Sequence, residues 1–423
     1  VRKFLRRIFK LIGPGFVTGA ADDDPAGIAT YAQTGAQFGY NQLWTAFFSF
    51  PFMTVIQEMC GRIGMVTGKG IAIIVKRHYA RPVLFIAVTL LLLANTINIG
   101  ADLGAMAASA QLLLGLPFGF WLIIFTIVTL LLEVFVPYPA YAKFLKYLAL
   151  SLLAYVLTAF VVKQDWTQIA WATLIPTFTF DAKYFLNIVA IFGTTISPYL
   201  FFWQADEEVE EEVAQGKLKM MGKGIPKIRN KDIREMRLDT TLGMFFSNMV
   251  MFFIMVTTAS TLNVNNVFAI ETADQAAQAL RPFAGDFAFI LFAAGIISTG
   301  LLAVPILAGS ASYAISETIG WREGLYLKFK RAHGFYGIIT LATLFGLLVN
   351  FTPIKPFQML YYSAVFNGIC APPLLMLILF IGNNKKIMGD HTNSLFSNVM
   401  GWTITLFMTS SVVVLFLSFF KII

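Results

Sequence analysis

Cysteine, histidine and charge are all scarce in this chain. Its two cysteines, Cys60 and Cys370, both lie in apolar segments. That excludes a disulfide framework and a thiolate metal cluster, and leaves both as small buried hydrophobes. The three histidines, His78, His333 and His391, fall in polar stretches between apolar runs. None is placed to relay protons in the middle of an apolar span. Charged residues make up 13% of the 423 positions, hydrophobic residues 57%, and the mean hydropathy is +0.72. A soluble domain carries about 25% charge, and many apolar runs here exceed the roughly 18–20 residues that cross a bilayer. The chain therefore reads as an all-α integral membrane protein whose surroundings are lipid. It has no low-complexity linker, short repeat or second domain. The opening "VRKFLRRIFKLIGPG" is basic and then apolar without a small-residue cleavage site, so it reads as a retained span rather than a removed signal.

Apolar runs bounded by charge, proline or glycine predict eleven transmembrane helices, at about 11–39, 43–66, 83–113, 117–137, 143–163, 184–204, 239–262, 285–311, 335–351, 356–382 and 397–421. With the N-terminus inside, 25 of the 31 Lys and Arg residues face the cytoplasm, five face out, and Arg62 lies within the second span. This asymmetry follows the positive-inside rule and predicts an outside C-terminus in a cell membrane. The net charge of +8 is thus a topology signal and implies no nucleic-acid partner. The longest loop, 206–238, is acidic in front and basic behind, and reads as a solvated cytoplasmic hairpin or short surface helix.

Within the first span, "ADDDPAGIAT" places Asp22, Asp23 and Asp24 directly before Pro25. A central aspartate costs about 2.5–3.5 kcal/mol on insertion scales, and a proline frees backbone carbonyls that need partners. Such costs persist where they line a polar cavity. Five spans later, "FGTTISPYLFFWQAD" brackets Thr194, Thr195 and Ser197 between Gly193 and Pro198. Matching breaks in the first and sixth spans are the sequence pointer to an inverted-repeat transporter of the LeuT type, with five spans per half and one extra helix. The repeats are expected at 1–163 and 184–382 of one transmembrane domain, with the additional helix at 397–421. Freed carbonyls at the half-helix ends, together with Asp24, make a cation site.

The segments "GPGFVTGAADDDPAGIATYAQTGAQFGY", "QEMCGRIGMVTGKG", "ADLGAMAAS", "GTTISPY" and "GMFFSNMVMFFI" together resemble the Nramp family of divalent metal transporters, in the same order through nearly the whole chain. The family's Asp-Pro-Gly-Asn stands here as Asp24, Pro25, Ala26 and Gly27, so the aspartate is kept and the asparagine is lost. Its Met-Pro-His stands as Ser197, Pro198 and Tyr199. In the third span the family's Asp and following Glu become Asp102 and Ala105. Loss of the thioether removes a ligand suited to soft metals and leaves oxygens, which suit a hard ion such as Mg2+. The pattern looks like the Nramp-related magnesium transporter branch. The resemblance implies a metal site of Asp24, Asp23, Gly27, Thr194, Ser197 and Tyr199, with Asn367 of "YYSAVFNGICAPP" at the place of a family amide. It implies Mg2+ as the transported ion, with Mn2+ as second candidate, no cofactor, a monomer, and transport without proton coupling. The alternative of the same fold is a proton-coupled Mn2+ or Fe2+ importer.

Glu58 and Arg62, four apart, are expected to pair on one helix face, and Glu133 near the inner end of span four reads as structural. An intramembrane aspartyl protease built on Asp24 and Asp102 is disfavoured, because "GADLG" lacks the Gly-x-Gly-Asp pattern; no enzymatic activity is expected. A passive channel is the remaining competitor.

Overall fold

Two prolines decide where the first and sixth spans are cut. The computed structural model describes residues 13–136, 152–179 and 181–420. In chain order, the first span is α1 (Pro14–Asp22) and α2 (Pro25–Phe38), followed by α3 (Trp44–Thr67), the short α4 (Ile71–His78), α5 (Arg81–Leu114), α6 (Phe118–Phe135) and α7 (Leu153–Val161). The sixth span is α8 (Ala182–Thr195) and α9 (Pro198–Ala214). After it come α10 (Asn230–Thr258), α11 (Ala288–Ile319), α12 (His333–Val349), α13 (Pro356–Asn383) and α14 (Leu395–Phe419).

A proline disfavours helical geometry in the residue before it. Asp24 accordingly sits at φ −68°, ψ 169° as the N-cap of α2, and Ser197 at φ −81°, ψ 138° as the N-cap of α9. Each proline then occupies the first helical position, where its missing N–H costs nothing. Both breaks fall where the sequence predicts them.

The helices are packed as two related halves. α2 lies on α10 as α9 lies on α3, and α5 on α6 as α11 on α12, while α5 and α11 pack on each other across the centre. A pseudo-two-fold relation between inverted repeats produces this pairing. The α1–α10 contact is backbone to backbone: a Cβ on Gly19 would fall 2.3 Å from the carbonyl carbon of Gly243. Small residues permit this approach, which is how helices associate where lipid supplies no hydrophobic drive. The outer surface is apolar instead of charged. Phe120, Ile123, Ile127 and Leu131 are half exposed along one face of α6, and Val399, Leu406 and Val413 along α14. Among the described residues seven helices are long and apolar enough to cross a membrane, with His333–Val349 a shorter apolar one.

Three sequence expectations change. The segment 206–238 is a solvated turn only over its middle, 215–229. Residues 206–214 continue α9, and 230–238 begin α10, nine residues before the expected start at 239. Asp206, Glu208 and Glu212 are buried because this part of α9 packs on α3 and α11. The eighth span runs on to Ile319 rather than ending at 311. Of the fifth span, 143–163, only α7 and its flanks are described; the remainder, with Lys143 and Lys146, lies outside the described residues, as do the basic residues of 1–12.

The Glu58–Arg62 pair forms, with Arg62 Nε donating to Glu58 Oε1 at 2.9 Å. Arg237 Nε donates to the same oxygen at 2.7 Å, and Arg62 Nη2 donates to Asn393 Oδ1 at 2.8 Å. The pair thus ties α3 to α10 and to the segment before α14. Glu133 is buried and accepts from Thr343 Oγ1 at 3.4 Å, which joins α6 to α12.

Candidate metal site

The carboxylates at the first break are sealed from solvent: Asp22 is 0% exposed, Asp23 5% and Asp24 2%. None of the ion pairs among the described residues includes them. Uncompensated carboxylates in a low-dielectric interior are costly until a cation or a proton neutralises them.

Asp24 is held most firmly. Its Oδ1 accepts from the Gly27 backbone N–H at 2.6 Å, an N-cap bond to the start of α2, and its Oδ2 accepts from Asn98 Nδ2 at 2.9 Å. Asn98 Oδ1 in turn accepts from Ser363 Oγ at 2.8 Å. A chain of hydrogen bonds from α13 through α5 therefore orients the carboxylate on α2. Asp22 Oδ2 and Asp23 Oδ1 both accept from Ser247 Oγ on α10, at 2.6 and 3.3 Å, while Asp22 Oδ1 has no donor.

The second break supplies hydroxyls. Gly27 permits a close approach: a Cβ there would meet Asp22 O at 3.0 Å, Thr194 Oγ1 at 3.2 Å and Asp24 Oδ1 at 3.3 Å. A backbone carbonyl from the end of α1, a hydroxyl from the end of α8 and a carboxylate from the start of α2 converge over one bare Cα. The three atoms nearest that position are all oxygens, the donor type that hard divalent cations prefer. No group of three or more Asp, Glu, His or Cys side chains is placed to hold a metal among the described residues. An ion at the break would therefore take its ligands from this mixed set of oxygens and from water.

Ser197 lies in the same break, its hydroxyl shared between Gly193 O and Thr194 O at 2.7 Å each. Tyr199 donates its hydroxyl to Ala21 O at 3.0 Å, which closes α9 onto the last turn of α1. Asn367 is buried on α13 one turn beyond Ser363, and Ser363, not Asn367, enters the hydrogen-bond chain that ends on Asp24. Asp102 is fully buried, within reach of the Ala26 backbone N–H at the start of α2 and near enough to Asp24 for their charges to interact.

Sequence reasoning missed Asn98, Ser247 and Ser363. A signal was present for each, since polar side chains inside apolar spans are expensive and mark internal sites. Ser247 stands within one of the quoted motifs, and Asn98 lies one turn before Asp102. What the sequence lacks is the direction in which each side chain points.

The Nramp family model, described as natural resistance-associated macrophage protein-like, matches residues 15–418. Among curated proteins the chain is similar to the divalent metal cation transporter MntH of Klebsiella pneumoniae subsp. pneumoniae, 26% identical over 406 residues covering 95% of this chain and 92% of that protein. A Deinococcus radiodurans protein of the same description is 23% identical over 404 residues, covering 95% and 88%. Among solved structures, the Eremococcus coleocola manganese transporter superposes with TM-score 0.72 at 17% identity, covering 97% of this chain and 87% of that one. Mhp1, a nucleobase-cation-symport-1 family transporter, gives TM-score 0.59 at 12% identity over 96% and 92%. These two structural likenesses concern the fold, an inverted-repeat helical bundle with broken first and sixth spans. With the family model matched along almost its whole length, the chain belongs to the Nramp family of divalent metal transporters.

Proposed function

We propose that this protein carries Mg2+ into the cell as a partly hydrated ion, by alternating access and without proton coupling. The observation that supports this most directly is the convergence of Asp22 O, Thr194 Oγ1 and Asp24 Oδ1 over Gly27. Magnesium dehydrates reluctantly and is usually held by one or two carboxylates with several retained waters. A site with one firmly oriented carboxylate and two flanking ones suits that habit. Positions 197 and 27, where the family carries a thioether and an amide, hold a hydroxyl and no side chain. On this reading the two repeats, 1–163 and 184–382, rearrange around the break in a monomer of the cell membrane, with the N-terminus inside and the C-terminus outside.

The membrane potential suffices as driving force. A divalent ion gains about 4.6 kcal/mol per 100 mV, from roughly 2.3 kcal/mol per unit charge, which corresponds to accumulation on the order of a thousandfold. In proteoliposomes with an internal pH-sensitive dye, Mg2+ uptake should saturate, accelerate under an inside-negative potassium diffusion potential, and leave internal pH unchanged. Uptake that never saturates would instead identify a channel.

Asp102 favours a second reading, proton-coupled import of Mn2+ or Fe2+, because a buried carboxylate beside Asp24 is a group able to take up a proton. Acidification that follows metal influx and disappears in Asp102→Asn would establish that reading in place of the first.

Asn98 is the residue by which α5 positions the Asp24 carboxylate. A hydrogen bond to a charged group contributes about 1.5–3 kcal/mol, so Asn98→Ala should weaken Mg2+ binding by about tenfold or more. Isothermal titration of the purified variant measures this. Unchanged affinity would mean that the Gly27 N–H alone orients Asp24.

A further inference from the structure

Asp206 is completely buried; no N–H or cationic group reaches its carboxylate oxygens, and its one polar neighbour in hydrogen-bond reach is the Glu317 carboxyl group. It stands at the middle of α9, eight residues past Pro198 and about 12 Å along the helix from the break at roughly 1.5 Å per residue. A Cβ on Gly70, the residue that caps α4, would lie 2.0 Å from Asp206 Oδ1 and 2.2 Å from Glu317 Oε1. Carboxylate oxygens from α9 and α11 therefore face each other over a bare glycine backbone.

Glu317 is 2% exposed and sits at the start of α4, where the Ile73 N–H donates to its Oε2 at 3.1 Å and the Gly70 and Ala72 backbone N–H groups also reach its carboxylate. Glu323, just past α11, is buried with Oε2 unpartnered. Burial first, and then the charges of Glu317 and Glu210, push the Glu323 carboxyl up to about 9. Glu210 has partners of its own, the Tyr313 hydroxyl and the Leu325 N–H. No ion pair among the described residues includes Asp206, Glu317 or Glu323.

Two like charges held together in the interior are strongly unfavourable unless something positive stands between them. We propose that Asp206 and Glu317 form a second divalent-cation site, distinct from the one at the broken helices, which takes up hydrated Mg2+. A pair of carboxylates, with no third metal-binding side chain converging on it, matches a water-rich ion rather than a dehydrated one. Occupancy ties α9, which carries Tyr199 at the break, to α11 and to the start of α4.

Counting Mg2+ by isothermal titration of the full-length protein tests this. Wild type should bind two ions, Asp24→Ala one, Asp206→Asn one, and the double variant none. In the Asp24→Ala background, Mg2+ should raise Tm, and adding Asp206→Asn or Glu317→Gln should remove that rise. Removing an unpaired buried charge should leave the Asp206→Asn protein melting no lower than wild type in metal-free buffer, which separates lost binding from lost folding. The proposal is overturned if Asp206→Asn and Glu317→Gln bind as many ions as wild type, the result expected if the pair shares a proton. A count of two in Asp24→Ala and one in Asp206→Asn would keep this site and overturn the assignment of Asp24.

Discussion

In proteoliposomes containing Asp24→Ala, saturable Mg2+ uptake should vanish while folded yield stays near wild type. Asp24 has two separable roles. As N-cap of α2 its carboxylate accepts from the Gly27 N–H at 2.6 Å, and losing a cap costs about 1 kcal/mol, too little to unfold the bundle. On the proposed reading it is also, as the oriented carboxylate beside Thr194 Oγ1 and Asp22 O, the charge that replaces water around the ion. Asp24→Asn separates the roles, because asparagine caps as well as aspartate but carries no charge. Both variants should lose at least a hundredfold in uptake, and only Asp24→Ala should melt measurably lower. Near-normal uptake by Asp24→Asn would transfer the principal role to Asp22 or Asp23, which share the Ser247 hydroxyl.

The double variant Gly27→Asn, Ser197→Met should turn selectivity from hard to soft ions. A Cβ at position 27 would press on three oxygens at 3.0–3.3 Å, so an asparagine there must displace the oxygens proposed to hold the ion. Gly27→Asn alone should therefore depress Mg2+ uptake. The thioether added at position 197, where a hydroxyl now bonds back to Gly193 O and Thr194 O, supplies a ligand for borderline and soft metals. Cd2+ or Mn2+ uptake relative to Mg2+ should rise by an order of magnitude or more in the double variant, measured by competition in the same liposomes. If Cd2+ is still ignored, the donor set is not what selects the ion, and the volume of the site becomes the determinant.

Membrane residence and the two interruptions were decided by the sequence itself. Their causes are local: apolar runs long enough for a bilayer, and prolines that remove an N–H and restrict the preceding residue wherever they occur. Pro25 and Pro198 made both breaks predictable, and the carboxylates before one and hydroxyls before the other made a cation site the natural reading. The Glu58–Arg62 pair was legible for the same reason, because residues four apart share a helix face in any helix.

Tertiary packing decided the rest. Which oxygens meet depends on the rotation of four helices from distant parts of the chain, so Asn98, Ser247 and Ser363 could not be told from other polar residues until α5, α10 and α13 were placed against α2. The acidic run after Gln204 shows the limit most clearly. Its composition is that of a solvated loop, and only the packing of α9 against α3 and α11 buries Asp206 and brings it to face Glu317, more than a hundred residues away. Periodicity records which face of a helix is polar; whether that face meets water or another helix is a property of the assembled bundle.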